Sequence, residues 1–169
     1  QRVKVDMDVN GSIGNVKLAA PQSDLNVAVA DEGTVGRVAL DAAADSAKVG
    51  LDVKGTVSDV ALDAEKADVK VAVNDNGKVS SVTISKEMAV AVSGTAKAAI
   101  AVKVSAEATV SASTDVELES SVSLNLILEK GAEGSSIKVS GNTAKVGIKI
   151  QNNTESSISV TTPNGKYTV

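Results

Sequence analysis

Aliphatic residues recur along this chain in alternating pairs, and the pairs themselves recur every 22 residues. Gly11, Gly33, Gly55 and Gly77 mark four successive units. Two positions after each glycine stand Ile13, Val35, Val57 and Val79; five after stand Val16, Val38, Val60 and Val82; seven after stand Leu18, Leu40, Leu62 and Ile84. Six positions before each glycine come Val5, Val27, Val49 and Val71, and four before come Met7, Val29, Leu51 and Val73. Alternation with period two is the pattern of a short strand that turns every second side chain inward. Its return at a fixed interval marks a repeat architecture.

The matched positions are related by a constant difference. Hairpins would relate them by a constant sum, so stacked coils of in-register parallel strands account for the pattern directly. The sequence predicts an all-β right-handed parallel β-helix, a solenoid of about 22 residues per coil, its hand taken from the usual chirality of crossover connections. Tandem antiparallel β-hairpins or a β-sandwich are the alternative, since Asn10-Gly11 and Asn76-Gly77 suit tight hairpin turns. The glycines and the two-residue step before each final pair are expected at corners, where positive φ or a sharp bend is needed. The segments Asp41-Ala-Ala-Ala-Asp45 and Asp63-Ala-Glu-Lys-Ala67 would give small inward alanines to a third, narrow face.

The period continues with drift. Val116, Ile137 and Ile158 are 21 apart, as are Leu118, Val139 and Val160, while Leu126, Ile148 and Val169 are spaced 22 and 21. Within 88–112, Val90, Val92, Ile100, Val102, Val104 and Val110 keep only the strand alternation. The chain reads as one solenoid domain, 1–169, of about seven and a half coils. Residues 1–88 form the regular coils, and 89–169 form less regular ones with an insertion near Ser111–Asp115.

Composition narrows this further. Of 169 residues 43% are hydrophobic, which excludes a disordered acidic chain. There is no Phe and no Trp, and Tyr167 is the sole aromatic residue. A sandwich or barrel core about 10 Å thick normally uses several large rings, whereas a slim solenoid fills with Val, Ala, Leu and Ile. With no Cys there is no disulfide framework, and with no His the commonest general base and metal ligand are missing. The net charge is -4 and the cations are dispersed, so nucleic acid is not an expected partner. No apolar run is long enough to predict a membrane-spanning helix. The sequence opens at Gln1 with neither Met nor a leader, as expected of a processed chain or an excised module.

The unit Gly-[Thr/Ser/Lys]-[Val/Ile]-x-x-Val-x-[Leu/Ile] resembles β-helical repeats of surface proteins from Gram-positive bacteria. The stretches Gly131-Ala-Glu-Gly134-Ser-Ser-Ile137-Lys-Val139 and Asn164-Gly-Lys-Tyr-Thr-Val169 are similar to the same group. The resemblance implies an extracellular or cell-surface setting and supplies no site residues.

Candidate chemistry is sparse. Asp41 and Asp63 occupy equivalent places in adjacent coils, as paired carboxylates of a glycosidase would. They have no aromatic sugar platform and no His beside them, and Ala19 and Ser85 take the flanking places, so solvated corner carboxylates are the better reading. Asn74, Asp75 and Asn76 before Gly77 offer oxygen ligands for calcium, but also make an ordinary turn. Lys4, Lys48 and Lys70 share an expected column with Asn26, either to meet acidic wall polymers or to keep a flat face soluble. Ser12, Thr34 and Thr56 stack as a hydroxyl ladder of the kind an ice-binding face uses, broken by Lys78. Asn10-Gly-Ser12 and Asn152-Asn-Thr154 match the glycosylation sequon.

No segment is available as a helical cap, so both solenoid ends are expected to be bare edges. The function expected from the sequence is therefore non-catalytic and without a cofactor. The chain would be a rigid stalk or a self-assembling fibre or surface-layer subunit of an extracellular bacterial protein, joined end to end to further copies or to flanking domains of its own chain. The alternative is an accessory module that binds carbohydrate or cell wall beside a polysaccharide-active enzyme.

Overall fold

The computed structural model describes residues 2–95, 98–113, 122–141 and 146–169. Every regular element in it is a strand. The first eight are β1 (Lys4–Val9), β2 (Ser12–Leu18), β3 (Asp24–Val29), β4 (Thr34–Leu40), β5 (Lys48–Val53), β6 (Thr56–Leu62), β7 (Ala67–Val73) and β8 (Lys78–Ile84). They are followed by β9 (Met88–Gly94), β10 (Ile100–Val104), β11 (Ala108–Ser113) and β12 (Val122–Leu128). The last four are β13 (Ser136–Ser140), β14 (Val146–Asn152), β15 (Ser159–Thr162) and β16 (Gly165–Thr168). Through β15 the odd strands stack in one sheet, A, and the even strands through β14 in a second, B, every neighbouring pair being parallel. The fold is a β-solenoid with roughly 22-residue spacing. Among the described residues the parallel strands β1–β15 make the seven and a half coils expected, and β16 lies outside them as a turn-back.

Among the described residues there are two sheets and no third. The alanine-rich segments are corners that lead from sheet B to sheet A. In the first, the Ala44 amide donates to the Asp41 carbonyl (2.8 Å) and the Ala47 amide to that of Ala44 (3.1 Å), two successive tight turns. Ala44, Ala47, Ala64 and Ala67 are buried there because a corner has room only for a methyl group. Left-handed residues at Gln22 (φ 51), Ser46 (φ 57) and Lys66 (φ 55) stack in this corner. Their amides donate onward to Asp45, Glu65 and Glu87 of the next coil at 2.7–2.9 Å, so the ladder continues around the bend.

The step expected as a second corner lies inside single strands instead. Sheet B pairs Ile13 with Val35 and Val16 with Val38 but skips Gly14 and Gly36. Two consecutive side chains face out there, and inward alternation then resumes.

The repeated glycine has a different cause from the one expected. Positive φ in these turns falls on Asp75 and not on Gly33, Gly55 or Gly77. A Cβ on Gly55 would instead run into the carbonyl oxygens of Gly33 and Ala30, and one on Gly77 into that of Val53. Coils approach too closely at this turn for a side chain. Gly11, with no coil beneath it, would meet nothing within 4 Å.

Sheet B follows the sequence period: β2, β4, β6 and β8 pair at intervals of 22. The columns Val16/Val38/Val60/Val82 and Leu18/Leu40/Leu62/Ile84 stand as expected, and Val38, Val60, Leu62, Val82 and Ile84 are fully buried. Sheet A does not follow it. Lys4 pairs with Asp24, Asp24 with Lys48 and Lys48 with Asp68, at intervals of 20, 24 and 20. The inward columns are therefore Val5/Leu25/Val49/Val69, Met7/Val27/Leu51/Val71 and Val9/Val29/Val53/Val73, two residues off the expected ones. The turns from A to B absorb the difference: Asn10-Gly11 and Lys54-Gly55 are short, Ala30–Gly33 and Asn74–Gly77 two residues longer.

Later coils correct further columns. Val110 pairs with Ile137 and Ile137 with Val160, so Ile158 is not in that column; Val116 and Leu118 lie outside the described residues. Leu124, not Leu126, stacks on Ile148. Val169 belongs to no coil, because β16 folds back to pair antiparallel with β15 around Pro163-Asn164. The interval from Thr109 to Ser136 is 27, a coil longer than the rest. Of the expected insertion at Ser111–Asp115, Ser111–Ser113 belong to β11 and the other two residues fall outside the described ones. The core is one continuous file of Val, Leu, Ile and Ala, with Met88 among them, from Val9 to Val160.

Candidate functional site

The outward side of sheet A carries the densest polar arrangement. Its first outward column reads Lys4, Asp24, Lys48, Asp68, alternating in sign from coil to coil. Its second reads Asp6, Asn26, Gly50, Lys70. The expected cationic column of Lys4, Asn26, Lys48 and Lys70 is thus split between two neighbouring columns, and carboxylates interrupt it. A shallow open hollow of about 250 Å³ lies between them, framed by Lys4, Asp24, Lys48 and Asp68 with Gly50 in its floor. Such a face neutralises itself. Asn26 Nδ2 donates to Asp6 Oδ1 at 2.7 Å and Lys4 Nζ lies 3.2 Å from Asp6 Oδ2. Those two bonds hold the Asp6 carboxyl below its ordinary range, the Asn26 bond first.

A larger hollow of about 500 Å³ runs along the neighbouring corner, with Lys66, Asp68, Glu87, Glu107 and Thr109 on its walls. It is polar, open and free of aromatic residues. Among the described residues no group of three Asp, Glu, His or Cys side chains is placed to hold a metal.

Asp41 and Asp63 do stack at one corner, their amides donating to Leu18 and Leu40 of the coil below. Asp41 pairs with Lys17 at 2.7 Å and accepts from the Ala43 amide at 3.2 Å. Lys17 and then that amide keep its carboxyl below the usual value, so it stays ionised and closes a turn. A general acid would need the opposite shift.

Asn74, Asp75 and Asn76 form the longer A-to-B turn, closed by the Gly77 amide on the Asn74 carbonyl at 2.8 Å. Asn74 Nδ2 is spent on Asp52 (3.0 Å), and Asp75 faces Lys54 at 3.8 Å. A cation is thus already present where calcium would have to bind. The hydroxyl ladder is real at its start, Ser12 and Thr34 being hydrogen-bonded at 2.7 Å. Thr56 and Lys78 follow in the same column.

The C-terminal end departs from the bare edge expected, in sheet A alone. At the last coil Asn152 Nδ2 donates to the Ser156 and Val169 carbonyls, both at 2.9 Å, while its Oδ1 accepts from the Thr154 amide and hydroxyl. Ile158 and Val169 exchange backbone bonds at 2.9 and 3.0 Å. The sequon at Asn152 is therefore a staple whose amide is already engaged. Thr162-Pro-Asn-Gly165 between two strand-like stretches was the sequence signal for this hairpin. At the other end, β1 and β2 are edge strands, and Val3 (61%) and Val5 (39%) are exposed.

Comparison with protein-family models, with characterised proteins and with solved structures finds no match. Among the described residues no helix is long and apolar enough to cross a membrane.

Proposed function

We propose that this chain is a non-catalytic structural module, a rigid stalk in an extracellular or cell-surface bacterial protein. The observation that carries the reading is the uninterrupted aliphatic file along two continuous parallel sheets. Each coil is completed by its neighbours, so stiffness belongs to the whole stack. The bacterial surface setting rests on the repeat resemblance alone. Of the two structural versions, the stalk is favoured over the end-to-end fibre, because sheet A turns back on itself at β16.

The outward column Lys17, Ala39, Ala61, Thr83, Lys103, Ile127, Gln151 spans the seven strands of sheet B. Six strand spacings of ~4.8 Å make it about 29 Å long. Spin labels at Lys17→Cys and Gln151→Cys should give one narrow distance distribution near that length. A broad or bimodal distribution would remove the stalk reading. Retention on insoluble cell-wall or plant polysaccharide would put the accessory binding module in its place.

A further inference from the structure

Beyond the stalk reading, the structure assigns β1 as a self-complementary edge: we propose that it pairs antiparallel with β1 of a second copy, Lys4 opposite Asp8. The Asp24 amide donates to the Val3 carbonyl at 2.8 Å, so the odd-numbered backbone groups of β1 face β3. By alternation those of Lys4, Asp6 and Asp8 face outward and are unpaired. An antiparallel partner centred on Asp6 makes Lys4/Asp8 and Asp6/Asp6 the hydrogen-bonded pairs and sets Val5 opposite Met7. All five residues from Lys4 to Asp8 are then used.

Charge and burial both favour this register. It places two Lys–Asp pairs across the junction, whereas centring on Met7 would set Asp6 against Asp8 twice. It also covers Val5, 39% exposed, and Met7, half-buried, whose equivalents Leu25 and Val27 one coil in are 3% and 1% exposed. A two-fold axis normal to the sheets brings β2 against its own copy in the same step, so both sheets run through the junction. The Asp6 pair on the axis is the unfavourable contact, moderated by Asn26 and Lys4. At the opposite end sheet A closes on the reversed β16, four residues long, while sheet B ends on β14. The product is a dimer joined at the N-terminal face.

Sedimentation equilibrium of the full chain tests this. The wild type should show a concentration-dependent monomer–dimer equilibrium. Asp8→Lys alone and Lys4→Asp alone should each weaken it about tenfold or more. The double exchange Lys4→Asp/Asp8→Lys should restore most of the loss, and Asp6→Asn should tighten the dimer. Lys166→Glu, on β16, should change nothing. All of these positions are exposed, and unchanged thermal unfolding of the monomer verifies that each variant folds. A strictly monomeric wild type, open-ended oligomers, or a dimer that the double exchange fails to restore would each overturn the proposal. Measured on doubly labelled chains diluted in an excess of unlabelled chain, the intramolecular distance between labels at 17 and 151 is independent of all three results, so the stalk reading stands or falls separately.

Discussion

Sheets A and B belong to the same coils and are built on the same aliphatic alternation, yet over the first four coils only sheet B keeps the period of the sequence. Its first four strands step by 22 at every level, while those of sheet A step by 20, 24 and 20. The difference lies in what anchors each strand. The strands β4, β6 and β8 each follow a glycine that has to pass under the carbonyls of a neighbouring coil, and β2, β4, β6 and β8 share a fixed interruption between their inward pairs. A strand of sheet A is a plain alternation such as Asp24–Val29, held only by the turns at its two ends. A slip of two residues leaves all its aliphatic side chains inside, so core packing barely opposes it.

Turn length is the sharpest way to break this contrast. Deleting Glu32 alone shortens the β3–β4 turn by one residue and drives Leu25, Val27 and Val29 toward solvent. At ~1.5–3 kcal/mol for each exposed side chain the loss is roughly 5–9 kcal/mol, enough to abolish a cooperative denaturant transition. Deleting Asp31 and Glu32 together makes that turn as short as Lys54-Gly55 and leaves β3 in place with its inward face intact. The double deletion should therefore be the milder, costing about 1–3 kcal/mol by the same measurement. The reverse order would show that sheet A is anchored by something other than its turns.

Next in size is Leu62→Ala in the middle of sheet B, fully buried and expected to cost about 2–5 kcal/mol in chemical denaturation. Smaller again is a pair of substitutions within the glycine column. Gly55→Ala meets two backbone carbonyls and should cost about 1–3 kcal/mol, whereas Gly11→Ala meets nothing and should stay within roughly 0.5 kcal/mol. Equal effects at the two positions would refute close approach as the cause of the repeat.

The smallest expected effect is acid sensitivity at the corner. The Asp41 carboxyl sits below its ordinary 3.8 through Lys17 and the Ala43 amide. Its contribution is complete above that ordinary value and is lost as pH falls through the lowered one. Thermal midpoints of Asp41→Asn should therefore fall below those of the parent at pH 6, and the two curves should converge toward pH 2.

Sheet B, the solenoid class and the buried glycine column were legible in the sequence because each is tied to a residue type that recurs at a fixed place. The register of sheet A was not, because Val27 and Val29 are interchangeable as inward residues and no residue type marks which one lies over Leu51. The third face failed for a related reason. Inward alanines at a corner and on a narrow strand leave the same trace, and only the left-handed Ser46 and Lys66 separate them. The C-terminal hairpin was legible in Thr162-Pro-Asn-Gly165, but Val169 falls by chance at the repeat interval and concealed it. Of the candidate sites, the alternating charges of sheet A escaped notice because they appear only once the strands are paired at 20 and 24.

Disulfide trapping decides the register most directly, since the chain has no Cys of its own. Ala28 and Asp52 are direct partners on the outward face of sheet A, 24 apart, while Gly50 lies on the diagonal, 22 from Ala28. A direct parallel pair brings the Cα atoms within bridging range, and the diagonal, at ~8 Å, lies beyond it. Oxidation should join Ala28→Cys to Asp52→Cys rapidly and leave Ala28→Cys with Gly50→Cys reduced; the opposite result would contradict the two-sheet register on which this account rests.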